Sequence, residues 1–122
     1  MKQLLDPRLW RVLFVMMTMA VCYLAIVPAP PTLDTGWDKS NHLLAFGALA
    51  FAASLSGTPG ARWQATAALG LLAFGGLIEA LQAALPLRQA SLADLLADAL
   101  GIVVGLTLAR GLHPWLAEAA RR

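Results

Sequence analysis

The chain has 122 residues, of which 59% are hydrophobic and 13% charged, with a net charge of +2 and a mean hydropathy of +0.68. That charge content is about half the roughly 25% usual in soluble domains. It excludes a disordered chain and argues against a soluble one, because a small domain exposes more surface than nine basic and seven acidic side chains can cover. A single cysteine excludes an internal disulfide and any zinc site built on several cysteines, and the small net charge gives no reason to expect nucleic acid. The class that is left is an integral membrane protein.

A spanning helix needs about 20 mostly apolar residues. Four of them account for about 80 residues and leave no room for a separate soluble domain, so residues 1–122 are read as one membrane domain. The first apolar run covers about 9–27 and ends at Pro28-Ala29-Pro30-Pro31, where helix continuation is forbidden. It is read as a retained helix and not a cleaved signal peptide, because the small-residue cleavage pattern is missing. The second run, 38–56, is the shortest and stops at Gly57-Thr58-Pro59-Gly60, a strong turn signal. The third covers 63–85 and stops at Pro86, and the fourth covers 91–112, before Pro114. Short connections between long helices predict a four-transmembrane-helix antiparallel bundle, an all-α membrane protein.

Lys2, Arg8, Arg11, Arg62, Arg110, Arg121 and Arg122 fall on one side of this layout, and Lys39 and Arg88 on the other. The positive-inside rule then places both termini and the 57–60 turn in the cytoplasm, in a multi-pass protein of the bacterial inner (cytoplasmic) membrane. Trp10, Trp63 and Trp115 near the inner helix ends and Trp37 at the outer start of helix 2 fit interfacial belts. Gly75 and Gly76 in helix 3, and Gly101 and Gly105 in a GxxxG of helix 4, allow close helix approach, within the bundle or in a homo-oligomer through the helix 4 glycines.

The polar residues gather at the outward end. Asp38 and His42 share a face of helix 2. Asp38 suits an N-cap, and His42 suits either a hydrogen bond to a loop carbonyl or a proton-transfer or ligand-binding role. Glu79, with Gln82 three residues on, lies about 9 Å below the outer end of helix 3, and Asp98 about 10 Å below that of helix 4. Acids at that depth face the bundle interior or a wet cavity, and in a shared cavity their charges would repel. Ser91 and Asp94 have capping-box spacing, and Asp94, Asp98, Gly101 and Gly105 form one stripe of helix 4. Arg88 suits an ion pair that closes the turn or recognition of an anion, and Lys39 admits the same two readings.

In sequence order these residues resemble the VanZ-like family of small membrane proteins. The matching blocks are Asp38-Lys39-x-x-His42-x-x-x-Phe46, Glu79-x-x-Gln82, Pro86-x-Arg88-x-x-Ser91-x-x-Asp94, and Asp98-x-x-Gly101 with Gly105, over about residues 34–106. The sequence departs from the family pattern at Phe46, often Tyr there, and at Asp98, usually Asn. The resemblance implies a link to resistance against the glycopeptide teicoplanin. Some relatives carry an acyltransferase-like label, but no cofactor loop or acyl-carrier signature supports it in this chain.

Three functions follow as expectations. The first is an outward polar pocket that binds a lipid-linked, anionic or lipoglycopeptide envelope ligand among membrane lipids. Lys39 and Arg88 would meet its anionic groups, and Glu79, Asp94 and Asp98 would orient the basic groups or meet ligand amines. The second is a membrane-embedded enzyme acting on a lipid-linked precursor, with His42 and the acids as acid–base partners or as holders of a hard divalent metal. No HExxH, nucleophile elbow or P-loop is present, and Cys22 lies among apolar residues of helix 1. The sequence therefore leans away from an enzyme and assigns no catalytic residue, cofactor or metal site. The third is a polar network that holds helices together. A transport path is disfavoured, since Thr18, Thr66 and Thr107 are the only polar steps expected in the other half.

Overall fold

The computed structural model describes residues 6–27, 38–86 and 89–121, apart from the side chains of Asp38 and Ala120. They form four helices, α1 (Pro7–Ile26), α2 (Asp38–Ser56), α3 (Ala61–Ala84) and α4 (Leu92–Arg121). α1 starts two residues before the expected Leu9. The Asp6 carboxylate accepts from the Arg8 N–H at 2.9 Å, and Pro7 supplies a first-turn residue that needs no hydrogen-bond partner.

α4 departs most from expectation. It runs through Pro114 to Arg121 instead of stopping near Leu112. Proline removes one backbone donor, and the following stretch, Trp115-Leu116-Ala117-Glu118-Ala119, is rich in strong helix formers that carry the helix on.

Three polar contacts fix the directions of the helices. The Arg11 Nε donates to the Ser56 carbonyl at 2.9 Å, joining the start of α1 to the end of α2. Gln64, at the start of α3, donates to the Ser54 hydroxyl at 2.6 Å. The Ser91 N–H, just before α4, donates to Glu79 near the end of α3 at 2.8 Å. Consecutive helices are therefore antiparallel, and α2 runs parallel to α4.

That parallel pair has the most extensive contact in the molecule. Glycine makes it so. A Cβ at Gly101 would overlap the Leu43 carbonyl oxygen, and one at Gly105 would overlap the Gly47 carbonyl oxygen and lie 3.0 Å from the Ala50 Cβ. The GxxxG of α4 thus packs inside the chain, backbone to backbone on α2. Gly76, by contrast, has nothing within 4 Å of its missing Cβ.

α2 is the innermost helix, with Phe46, Leu49, Ala50, Ala52, Ala53, Ser54, Leu55 and Ser56 all buried. Its last carbonyls lack helical partners, and side chains of other elements supply them. Trp63 Nε1 donates to the Ala53 carbonyl at 2.8 Å and Arg11 to that of Ser56. Trp63 also lies directly over Gly57, where any Cβ would strike its ring.

α1, α3 and α4 are long and apolar enough to cross a membrane, whereas α2 is not among the helices that meet that measure. Its first turn, Asp38-Lys39-Ser40-Asn41-His42, lowers the average, and a helix enclosed by others has no need of large apolar side chains. The outward faces of the other three carry them instead, among them Val15, Met19, Leu69, Leu77, Leu96, Val103 and Leu108.

Candidate functional site

At the end of the molecule where α2 and α4 begin and α3 ends, three titratable side chains converge. His42 Nδ1 and Asp98 Oδ1 are hydrogen-bonded at 2.8 Å, and with the carboxylate ionised the imidazole is the donor. Glu79 joins them from α3, so that one ligand atom from each of His42, Glu79 and Asp98 lies within 4.8 Å of the other two. Asp98 is fully buried, at 0% exposure, and Glu79 nearly so, at 8%.

Each acid uses one oxygen and leaves the other open. Glu79 Oε2 accepts from the Ser91 N–H at 2.8 Å, which is the donor that a capping box gives to the acid three residues on. A glutamate from the neighbouring helix therefore caps α4. Glu79 Oε1 and Asp98 Oδ2 are buried and have no hydrogen-bond partner among the described residues. Gly75 leaves the space for the second of these, since a Cβ there would stand 2.8 Å from Asp98 Oδ2. Phe46, 1% exposed, lies against the same glycine and closes the site from below with Phe74, whose ring centroid is 5.9 Å away.

The other sequence candidates are placed differently. Asp94 is buried, one turn before Asp98 on α4. Gln82 is buried but reaches toward α1, with its amide nitrogen 3.5 Å from the Ala25 carbonyl. Lys39 is exposed on the first turn of α2. Arg88, Trp37 and the side chain of Asp38 lie outside the described residues.

The opposite end holds Arg8, Arg11, Arg62, Arg110 and Arg121, together with a polar group that sequence reading missed. Thr18, Thr66 and Thr107 each donate to the carbonyl four residues back in their own helix, so none of them is a polar step. A part-buried polar contact there joins Gln64 to Ser54. It lines a groove of about 320 Å³ with Trp10, Arg110 and His113. The clue was available: Ser54 and Gln64 flank the Gly57–Gly60 turn, which brings them face to face. A second groove, about 650 Å³ and largely apolar, runs between α1 and α3 over Gly70.

Comparison against known protein families, curated proteins and solved structures finds no match to this chain.

Proposed function

We propose that this chain is a VanZ-like protein of the bacterial cytoplasmic membrane. It crosses the bilayer four times with both termini inside, and engages a lipid-linked or lipoglycopeptide envelope ligand at its outward polar end. The observation that carries the reading is the pair of buried, unpartnered carboxylate oxygens on Glu79 and Asp98 beside His42. Buried carboxylate oxygens left without a donor are costly, and a ligand that supplies donors to them would offset that cost. The apolar outer faces of α1, α3 and α4 suit lipid, and the basic residues at the far end suit a cytoplasmic face.

In this reading Glu79 and Asp98 meet donor groups of the ligand, such as its amines or amides. Lys39, exposed at this end, meets its anionic groups, with Arg88 as the second basic candidate from the sequence. The acyl chain of a lipoglycopeptide or lipid-linked molecule would stay in the bilayer beside the site.

A host sensitive to teicoplanin tests the reading directly. Expression of the wild type is expected to raise the inhibitory concentration several-fold, with E79Q and R88A abolishing the gain at unchanged membrane levels. Resistance at wild-type strength in both variants sinks it.

A second reading is structural, and a specific observation favours it. Glu79 caps α4, and His42 with Asp98 fastens α4 to α2. In that case E79A and D98A, which remove those bonds, would lower thermal stability with no separable change in ligand response.

A further inference from the structure

We infer that His42, Glu79 and Asp98 form a binding site for a divalent transition-metal ion with mixed nitrogen and oxygen donors, Zn²⁺ or Mn²⁺. The inference rests on the same reading of this end as a binding site, and it names what the site holds first.

The donor set is one imidazole and two carboxylates from three different helices, with ligand atoms mutually within 4.8 Å. Zinc binds imidazole nitrogens and carboxylate oxygens, and its open sites have three protein ligands with a fourth position left to water or ligand. Tetrahedral coordination at about 2.1 Å sets donor–donor spacings near 3.4 Å, so no pair of ligand atoms within 4.8 Å need close by more than about 1.4 Å, and the imidazole binds through its unprotonated nitrogen. Shifts of that size are within reach of side-chain rotation.

Charge argues the same way. The carboxylates of Glu79 and Asp98 are both buried, and Asp98 is ion-paired with His42, 13% exposed. Asp98 Oδ2 and Glu79 Oε1 have no donor among the described residues, although each side chain is more than nine-tenths buried. A divalent cation balances the two carboxylates, which have oxygens without donors to offer it. Cys22, on α1, is not part of the group, which favours an oxygen- and nitrogen-preferring ion over a thiophilic one.

The ion would also reconcile the site with the ligand class proposed above. A pocket lined by carboxylates repels a phosphate or carboxylate ligand. A bound dication with an open coordination position attracts one, as metal ions do when they bridge acidic side chains to phosphates.

The test uses the full chain, purified in detergent, stripped with chelator and reloaded with Zn²⁺ or Mn²⁺ alone. Elemental analysis is expected to find one ion per chain, with a rise in melting temperature that chelator reverses. E79Q and D98N are expected to weaken affinity by more than about 100-fold, beyond the 10–100-fold typical of residues that only orient a ligand. H113Q, which alters the other histidine, should bind as the wild type does. Substoichiometric loading, or binding untouched by both E79Q and D98N, overturns the inference.

Should those two variants fail to fold, Co²⁺ in the H113Q protein decides by X-ray absorption. One imidazole nitrogen with oxygen donors supports the site, and sulfur or oxygen alone overturns it. If no ion binds while teicoplanin binding still depends on Glu79, the ion inference falls by itself. If teicoplanin binding also ignores Glu79, the proposed function falls with it.

Discussion

His42 and Asp98 are 56 residues apart in the chain and 2.8 Å apart in space. Their bond sits at the top of the α2–α4 seam, directly above the level where Gly101 meets Leu43 and Gly105 meets Gly47. A polar clasp over a stretch of backbone contact sets the register of two parallel helices. A one-residue slip would both break the clasp and drive side chains into backbone.

Asp98 is therefore expected to tolerate Asn better than Ala. An asparagine oxygen still accepts from the imidazole, and its amide can donate toward Glu79, whose ligand atom lies within 4.8 Å. Alanine leaves His42 without that bond, at a cost of about 1–3 kcal/mol. Thermal unfolding in detergent should place D98N near the wild type and D98A clearly below it. Equal losses in the two would show that the clasp contributes little.

The glycines make a graded prediction. G101A and G105A each force a methyl group into an α2 carbonyl, and overpacking of this kind costs about 1–3 kcal/mol. G76A meets nothing within 4 Å and should be neutral. Melting temperatures of the three variants check this order. Cross-linking adds a second readout: because the GxxxG face is buried on α2, G101A and G105A should destabilise the chain without first dissociating an oligomer.

Glu79 serves two elements, and its variants should separate them. Gln keeps an oxygen for the Ser91 N–H, whereas Ala removes it. E79A should expose the start of α4, raising amide exchange around Ser91–Leu95 by about 10-fold, equivalent to roughly 1.4 kcal/mol, within the usual worth of a helix cap. E79Q should leave exchange there unchanged. Rapid exchange in both would mean that the charge, not the hydrogen bond, holds the turn.

Much of this was legible from the chain itself. α2 begins at Asp38 and ends at Ser56, where a polar first turn and Gly57 mark its bounds. Periodicity and rise placed Glu79 and Asp98 at one depth, but the angle between their helices depends on packing, and that is set by which glycines meet which carbonyls. The capping of α4 by Glu79 was hidden because a capping-box acid, Asp94, stands at the local position that usually does it. α4 continues past its expected end because one missing donor at Pro114 does not end a helix whose next residues favour it. The Ser54–Gln64 contact was overlooked because a serine and a glutamine near a turn look like ordinary solvent-facing residues until the helices are brought together.

The orientation of the bundle can be tested with single cysteines. Cys22 is the only native thiol and can be replaced in C22A. Lys39 is exposed at the end that holds His42 and Asp98, and Thr58 is exposed in the turn at the opposite end, beside Arg62. The concentration of arginines at that second end predicts that it faces the cytoplasm. In intact bacterial cells, whose outer layer admits the reagent, a membrane-impermeant maleimide is expected to label K39C at once. T58C should be labelled only after the membrane is permeabilised. The reverse pattern would put the carboxylate cluster on the cytoplasmic side, where a lipoglycopeptide arriving from outside would not meet it. Labelling of both positions in intact cells would mean that this chain does not separate its two ends across a bilayer.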